Sequence, residues 1–233
     1  MSAHYKIIVI WRFNIMYKKY LKRVIDFIIA LIAAPFVLLI IIIMSPIIYF
    51  NDKGPVFYNA ERLGMNGKKF KMFKFRSMYI NSPDLRNSDG STYNSLNDPR
   101  VTKVGKFMRK TSLDEIPQFF NVLIGQMSLV GPRPTLATKN FIDISEEERK
   151  RYTVRPGITG YSQAYYRNSI SQDEKFRQDN YYVDHVSFLL DVKIVIKTAV
   201  SVLKHDNVFV SEGNKPIENK SEDLEVNKEA IHK

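Results

Sequence analysis

The sequence predicts an α+β protein: an N-terminal re-entrant membrane helix–break–helix, then a small cytoplasmic domain of mixed helices and strands with amphipathic interfacial helices. Three observations lead there. Phe27 to Asn51 is a run of 25 residues without a charge, rich in Ile, Leu, Val, Ala and Phe. Basic residues flank that run on both sides. Beyond Gly54 the pattern changes to short β-type segments, turn signals and capped helix starts.

At about 1.5 Å per residue, the apolar run is long enough to cross a hydrocarbon core of roughly 30 Å. Length alone therefore fits a spanning anchor. Two features favour a re-entrant form. Pro35 lies well inside the run, where it removes a helix hydrogen bond and crowds the preceding turn, and Ser45-Pro46 interrupts it again. Lys18, Lys19, Lys22 and Arg23 precede the run, while Lys53, Arg62, Lys68, Lys69 and Lys71 follow it. The positive-inside tendency puts both ends on the cytoplasmic side. A membrane break at Pro35, or at Pro46, satisfies both observations. The stretch begins too deep, around Val24, and lacks the small-residue site of a cleaved signal peptide.

This divides the 233 residues into an N-terminal extension over 1–16, a membrane-embedded segment over 17–53, a domain over 54–211 and a polar, disordered tail over 212–233. The formal net charge of +11 implies polyanionic partners: anionic lipid, nucleic acid or phosphorylated substrates. With no cysteine in the chain, disulfides, thiolate metal sites and cysteine nucleophiles are excluded. The four histidines are scattered, which gives no zinc pattern.

Along the domain, Asn66-Gly67 signals a tight turn, so 55–62 and 69–78 should form a hairpin. In its second strand Lys74 and Arg76 alternate with Phe73 and Phe75, which places the two cations on one face. Residues 81–100 are rich in Asn, Asp, Ser and Pro and read as a long functional or mobile loop. A helix is expected from Asp114 to Ile124, stopped by Gly125. Ser112 with Glu115, Ser145 with Glu148 and Ser171 with Glu174 have capping-box spacing. Ser187 opens a last helix through Lys204. Leu189, Val192, Ile196, Val200 and Leu203 form a stripe on it that suits core packing, with a membrane-interface role as the alternative.

Asp114 and Glu115 are the informative pair. As a helix start they are unremarkable, since acids belong in a first turn. The same placement favours an ionised carboxylate, as do the nearby Arg109 and Lys110. Such a carboxylate can attack phosphorus to form an acyl phosphate, while its neighbour positions a metal ion or handles a proton. Phosphoryl transfer also requires cations. Lys74, Arg76, Arg109, Arg133 and Arg155 are the candidates, each beside a strand, turn or helix end. No phosphate-binding glycine loop or dinucleotide fingerprint is present.

Several ordered segments carry a family resemblance. They are Lys22-Arg23-Val24-Ile25-Asp26-Phe27, Lys53-Gly54-Pro55-Val56-Phe57 and Phe70-Lys71-Met72-Phe73-Lys74-Phe75-Arg76-Ser77-Met78. Thr111-Ser112-Leu113-Asp114-Glu115-Ile116-Pro117-Gln118, Met127-Ser128-Leu129-Val130-Gly131-Pro132-Arg133-Pro134, Val154-Arg155-Pro156-Gly157-Ile158-Thr159-Gly160 and Tyr181-Tyr182-Val183-Asp184 follow. Over about 17–210 the chain resembles the bacterial sugar transferases known as monotopic phosphoglycosyl transferases. The resemblance implies a bacterial inner-membrane enzyme with its catalytic domain in the cytoplasm. It implies Mg2+, held at Asp114 and Glu115, and transfer of a phosphosugar from a UDP-sugar to undecaprenyl phosphate with release of UMP. Asp114 would be the covalent nucleophile, assisted by Glu115, and the five cations would face phosphate. Such a role needs Asp114 in a cleft near the lipid boundary. The product would initiate a surface glycan such as an exopolysaccharide. The chain departs from the family pattern after Gly160, with Tyr161 and then Gln163-Ala164-Tyr165-Tyr166-Arg167-Asn168, a region that bears on sugar identity.

The implied partners are the UDP-sugar, undecaprenyl phosphate, the lipid bilayer and, as a candidate, a second copy in a homodimer. A membrane-tethered basic domain that binds anionic lipid or nucleic acid without catalysis is the alternative. Its arginines would be expected in one run. Here they recur beside Pro and Gly turns, so no nucleic-acid partner is expected.

Overall fold

The computed structural model describes residues 12–86, 93, 95, 97–138, 140–166, 169–204 and 217–218. Helix α1 spans Lys22–Asp52 and is preceded by a π-helical turn, Tyr17–Leu21. Together with Arg12–Met16 they form one helix long and apolar enough to enter a membrane. Pro35 and Pro46 both lie inside α1, and helical structure continues through them. A single proline deletes one hydrogen bond of the ladder, which a long apolar helix tolerates. The expected helix–break–helix is therefore absent as an interruption of helical structure.

One stripe of α1 is buried: Asp26, Ala30, Val37, Met44 and Ile48. Their spacings of four and seven residues keep them on one face. Ala30 packs with Phe70, Met72, Val122 and Met127, whereas Met44 and Ile48 pack with Phe75 and Met108. The opposite face stays exposed and apolar, with Ile32, Phe36, Leu39, Ile42 and Phe50.

Polar contacts fasten both ends of α1 to the same domain. At its start, Arg23 donates to the carbonyls of Val122 (2.6 Å) and Leu123 (3.1 Å), while Asp26 accepts from Ser128 Oγ (2.7 Å) and the Leu129 amide (3.1 Å). Just before it, Tyr17 and Tyr182 hydroxyls donate to Asp191 at 2.6 and 2.7 Å, and Lys22 joins them at 2.6 Å. At its far end Asp52 receives Arg76, with Nη2 to Oδ1 at 2.6 Å.

The domain is built from short strands and helices. β1 (Glu61–Leu63) pairs antiparallel with β2 (Lys69–Lys71), with Glu61 opposite Lys71 and Leu63 opposite Lys69. Asn66 and Gly67 both have positive φ at the tip, as the turn signal requires. The expected hairpin forms, although beyond β1 and β2 it continues only as a bridge between Phe57 and Phe75. β3 (Leu85–Arg86) opens the loop expected over 81–100. Arg100 holds it, bonding Asp98 through two nitrogens and the carbonyls of Pro83 and Tyr93.

α2 (Lys103–Thr111) and α3 (Gln118–Leu123) follow. β4 (Ser128–Val130) runs parallel to β6 (Gly157–Thr159), and β5 (Thr135–Leu136) adds to β1. α4 (Glu146–Arg149), α5 (Tyr161–Tyr165), α6 (Gln172–Asp184) and α7 (Phe188–Lys204) complete the body. Ser145 and Ser171 accept from the amides of Glu148 and Glu174, so these two caps form. Most of the expected tail and residues 1–11 lie outside the described residues, while β7 (Ile217–Glu218) pairs with β3.

Two expectations are corrected. Ser112 caps no helix N-terminus: with φ of 57° it is the left-handed C-cap of α2. α7 turns its apolar stripe outward, with Leu189 71%, Ile196 58% and Leu203 79% exposed, and buries Asp191, Ile194 and Ser201 instead. The core-packing account of that stripe fails.

Gly105 shows how tightly α2 is seated: a Cβ there would lie 1.9 Å from the Ser77 carbonyl oxygen. Alanine is the better helix former by about 1 kcal/mol. Gly105→Ala should nonetheless destabilise the protein by about 1–3 kcal/mol, the usual cost of overpacking. A higher melting temperature for the detergent-solubilised variant would contradict this packing.

Candidate active site

Asp114 and Glu115 lie on a 3-10 turn, Leu113–Glu115, between α2 and α3. The expected continuous helix from Asp114 is thus split, with α3 starting at Gln118 and Gly125 ending it at φ of 87°. Pro117 has no amide to offer a helix ladder, which accounts for the break. Leu113, next to the pair, packs into the cluster of Met44 and Ile48. The carboxylates therefore sit one residue from a contact with the apolar helix.

The strand segment after β2 delivers Lys74. Asn121, fully buried, accepts from the Phe73 amide (2.8 Å) and donates to the Lys71 carbonyl (2.9 Å). The Phe75 amide donates to the Asp114 carbonyl at 3.0 Å. With the backbone held on both sides, Lys74 Nζ reaches Asp114 Oδ2 at 2.8 Å and Glu115 Oε1 at 3.4 Å. Asn121 has no signal in the sequence that marks it as the residue positioning this lysine.

Arg133 completes the group, with Nη2 2.8 Å from Glu115 Oε1. Its loop is fixed from two directions. The Gly157 amide donates to the Pro132 carbonyl (3.0 Å), and Arg151 Nη2 donates to the Arg133 carbonyl (2.7 Å). Arg151 is itself buried against Asp179 at 2.6 Å, and Ser162 Oγ donates to the other Asp179 oxygen at 2.7 Å. Gly131 is required here because a Cβ would lie 2.3 Å from the Arg155 carbonyl. Arg151, Asp179 and Ser162 were not among the expected site residues, for they act only through Arg133.

The remaining cations divide. Arg109 donates from Nε to Ser77 Oγ at 2.9 Å. Burial lowers its pKa, while the charges of Asp114 and Asp98 pull it back up, so it shares the electrostatic field of the pair. Arg76 is 6% exposed and bonds Asp52 and the carbonyls of Pro55 and Met78. It anchors α1. Arg155 donates from Nε to the Gly125 carbonyl at 2.9 Å, beside Arg23 at the end of α3. Neither Arg76 nor Arg155 has a bond to the carboxylates among these contacts.

Asp114 is 3% exposed. The open cleft expected around it is not seen at this point: Asp114 is buried against Lys74, whose side chain is 18% exposed. One oxygen of each carboxylate converges on a single ammonium. That donor set suits a hard divalent cation bound by one or two carboxylates together with substrate phosphates. Asp114 and Glu115 are the residues of this site that could take part in holding such a cation; among the described residues no cluster of three or more His, Asp or Glu ligands occurs.

Burial would raise the Glu115 pKa, but Arg133 and Lys74 overcome it and hold the acid at about 2. A depressed carboxylate contributes stability that is complete above its unfolded pKa, about 4.3, and is lost as pH falls towards 2. Arg133 is 51% exposed, so solvent screening leaves about 1 kcal/mol. Glu115→Gln should be less stable than the parent by that amount at pH 7 in chemical unfolding, and the gap should close as pH falls below 4. A gap that widens in acid would reverse the assignment.

Residues 17–205 match the bacterial sugar transferase family. The chain is 42% identical over 190 residues to the uncharacterized sugar transferase EpsL of Bacillus subtilis, covering 81% of this chain and 90% of that one. It is 37% identical over 216 residues to an undecaprenyl-phosphate galactose phosphotransferase of Salmonella typhimurium, covering 82% and 42% respectively. A UDP-glucose:undecaprenyl-phosphate glucose-1-phosphate transferase of Klebsiella pneumoniae is 38% identical over 192 residues, covering 79% and 40%. The chain thus spans less than half the length of these two named transferases. With the match running over most of its length, the chain belongs to the bacterial sugar transferase family.

Proposed function

We propose that the chain transfers a phosphosugar from a UDP-sugar to a polyprenyl phosphate of the undecaprenyl type, at the cytoplasmic face of a bacterial inner membrane, and so initiates a surface glycan. The observation that carries this is Asp114, a buried carboxylate under Lys74, with Glu115 and Arg133 alongside. The names of the Salmonella and Klebsiella relatives supply the substrate classes.

The chemistry runs in two displacements. An Asp114 oxygen attacks the β-phosphorus of the UDP-sugar, the bond from that phosphorus to the bridging oxygen breaks, and UMP leaves. The resulting aspartyl phosphosugar is attacked by an oxygen of the polyprenyl phosphate, which frees Asp114 and yields the polyprenyl diphosphate sugar. Asp114 and Glu115 would hold a Mg2+ ion, which would supply neutralising charge to the diphosphate. Lys74 must leave Asp114 for attack to occur, and an incoming diphosphate is the stronger anion to draw it away. Arg133 and Arg109 are placed to receive the remaining phosphate charge.

The contacts of α1 support a re-entrant arrangement. Lys22, Arg23 and Asp26 at one end and Asp52 at the other grip a single domain. A helix that crossed to the opposite face would carry one of those ends away by about 30 Å. Its outward apolar face, with Ile32, Phe36, Leu39, Ile42 and Phe50 exposed, is one that lipid would cover.

Asp114→Asn should lower UMP release from a UDP-sugar panel by at least about a thousandfold, because an amide cannot act as the nucleophile. Turnover near the parent level would end the covalent scheme. Separately, Lys19→Cys and Lys68→Cys, placed in this cysteine-free chain, should react with an impermeant thiol reagent from the same side of the membrane. Labelling from opposite sides would establish a spanning helix.

A further inference from the structure

A groove of about 520 Å³ opens where the helix preceding α1 meets the corner between α6 and α7. Ile15, Val186, Leu189 and Leu190 give it an apolar lining, and Lys18 and Lys193 give it positive charge. Lys18 is held in place, with Nζ on the Val183 carbonyl at 3.2 Å. Lys193 is exposed. Asp184, the acid in the wall, is paired with Lys150 at 2.7 Å, so it does not cancel the two lysines in full.

The location is as telling as the composition. Ile15 is 47% exposed and Leu189 71% exposed. Leu189 belongs to the outward apolar stripe of α7, and both residues line the groove beside Lys18 and Lys193. A site that is apolar along one side and cationic along the other matches an amphiphile with an anionic head. The groove shares no residue with the carboxylate pair or its cations. It lies at the start of the long helix, whereas Leu113 beside Asp114 packs on Met44 and Ile48 towards its end.

We infer that this groove binds the phosphate headgroup of an anionic membrane phospholipid, with Lys18 and Lys193 against the phosphate and Ile15, Leu189 and Leu190 against the upper acyl chains. The inference rests on the membrane contact proposed above for α1, extended here to the outward apolar stripe of α7, and not on the transfer chemistry. Its role is to hold the N-terminal end of the long helix at the bilayer surface.

The test uses the full chain in nanodiscs. Trp11→Phe removes the single tryptophan and Leu189→Trp installs a reporter. Phosphatidylglycerol and phosphatidylcholine, each carrying the same quencher high on one acyl chain, are compared. Phosphatidylglycerol should quench at a mole fraction lower by about fivefold for each lysine, the weight of one cation near an anionic surface. Lys193→Gln should cut that preference about fivefold, and Lys18→Gln/Lys193→Gln should abolish it. UMP release by Lys193→Gln in detergent should remain at the parent level. Equal quenching by the two lipids, or a preference that survives the double variant, would overturn the inference. So would displacement of phosphatidylglycerol by equimolar undecaprenyl phosphate, which would make the groove an acceptor site, or by millimolar inorganic phosphate, which would make it a free-anion site. Absence of quenching by both lipids would remove the membrane contact itself, while loss of turnover in Asp114→Asn leaves this readout unchanged.

Discussion

The molecule turns on pairing two adjacent carboxylates with cations where little water reaches them. Asp114 and Glu115 share the Lys74 ammonium, and Glu115 also takes Arg133. A buried carboxylate without such partners would be driven to protonate. Removing a partner from a buried pair typically costs about 3–5 kcal/mol, because the remaining charge is left unsatisfied. The surrounding fold is arranged so that neither cation can drift. Asn121 and the Phe75–Asp114 backbone bond seat the Lys74 strand, while the Arg151–Asp179 pair and the packed Gly131 and Gly157 backbones seat Arg133.

Holding Lys74 on Asp114 has a chemical consequence. A salt-bridged carboxylate is a poor nucleophile, since its lone pairs are engaged and approach is blocked. The same contact pairs its charge in a site that is nearly closed to solvent. In the proposed reaction a diphosphate would offer Lys74 two or more anionic oxygens in place of one, so filling the site would also uncover Asp114. Positioning and protection are then two states of one side chain. Activation needs no large movement of the backbone.

Much of this was legible in the residues, and the failures are equally physical. Asn66-Gly67 and Gly125 were readable because left-handed backbone selects a few residue types. Ser145 and Ser171 were readable because their helices begin where their side chains cap. Ser112 misled because its neighbours carry two messages. The acids after it suit a helix start, yet the basic Arg109-Lys110 before it belong to the last turn of α2. The stripe on α7 was correctly periodic, but periodicity reports that a face is apolar and is silent on what covers it. Arg76 and Arg155 were recognisable as important cations, while their partners, Asp52 and the Gly125 carbonyl, lie 24 and 30 residues away and are fixed only by the tertiary structure.

The exchange of roles between expected phosphate ligands and structural anchors ties the membrane segment to the site. Arg76 stands two residues from Lys74 on the same strand segment, and it grips Asp52 at the end of α1. Arg23 and Arg155 grip the carbonyls that close α3, the helix that carries Asn121. The strand that presents the lysine and the helix that seats the strand are thus both bonded to the apolar helix. A shift of α1 within the bilayer would reach Lys74 through Arg76 and through Asn121 together. The membrane segment therefore serves as one wall of the framework that aligns the carboxylates, beyond any role as a tether.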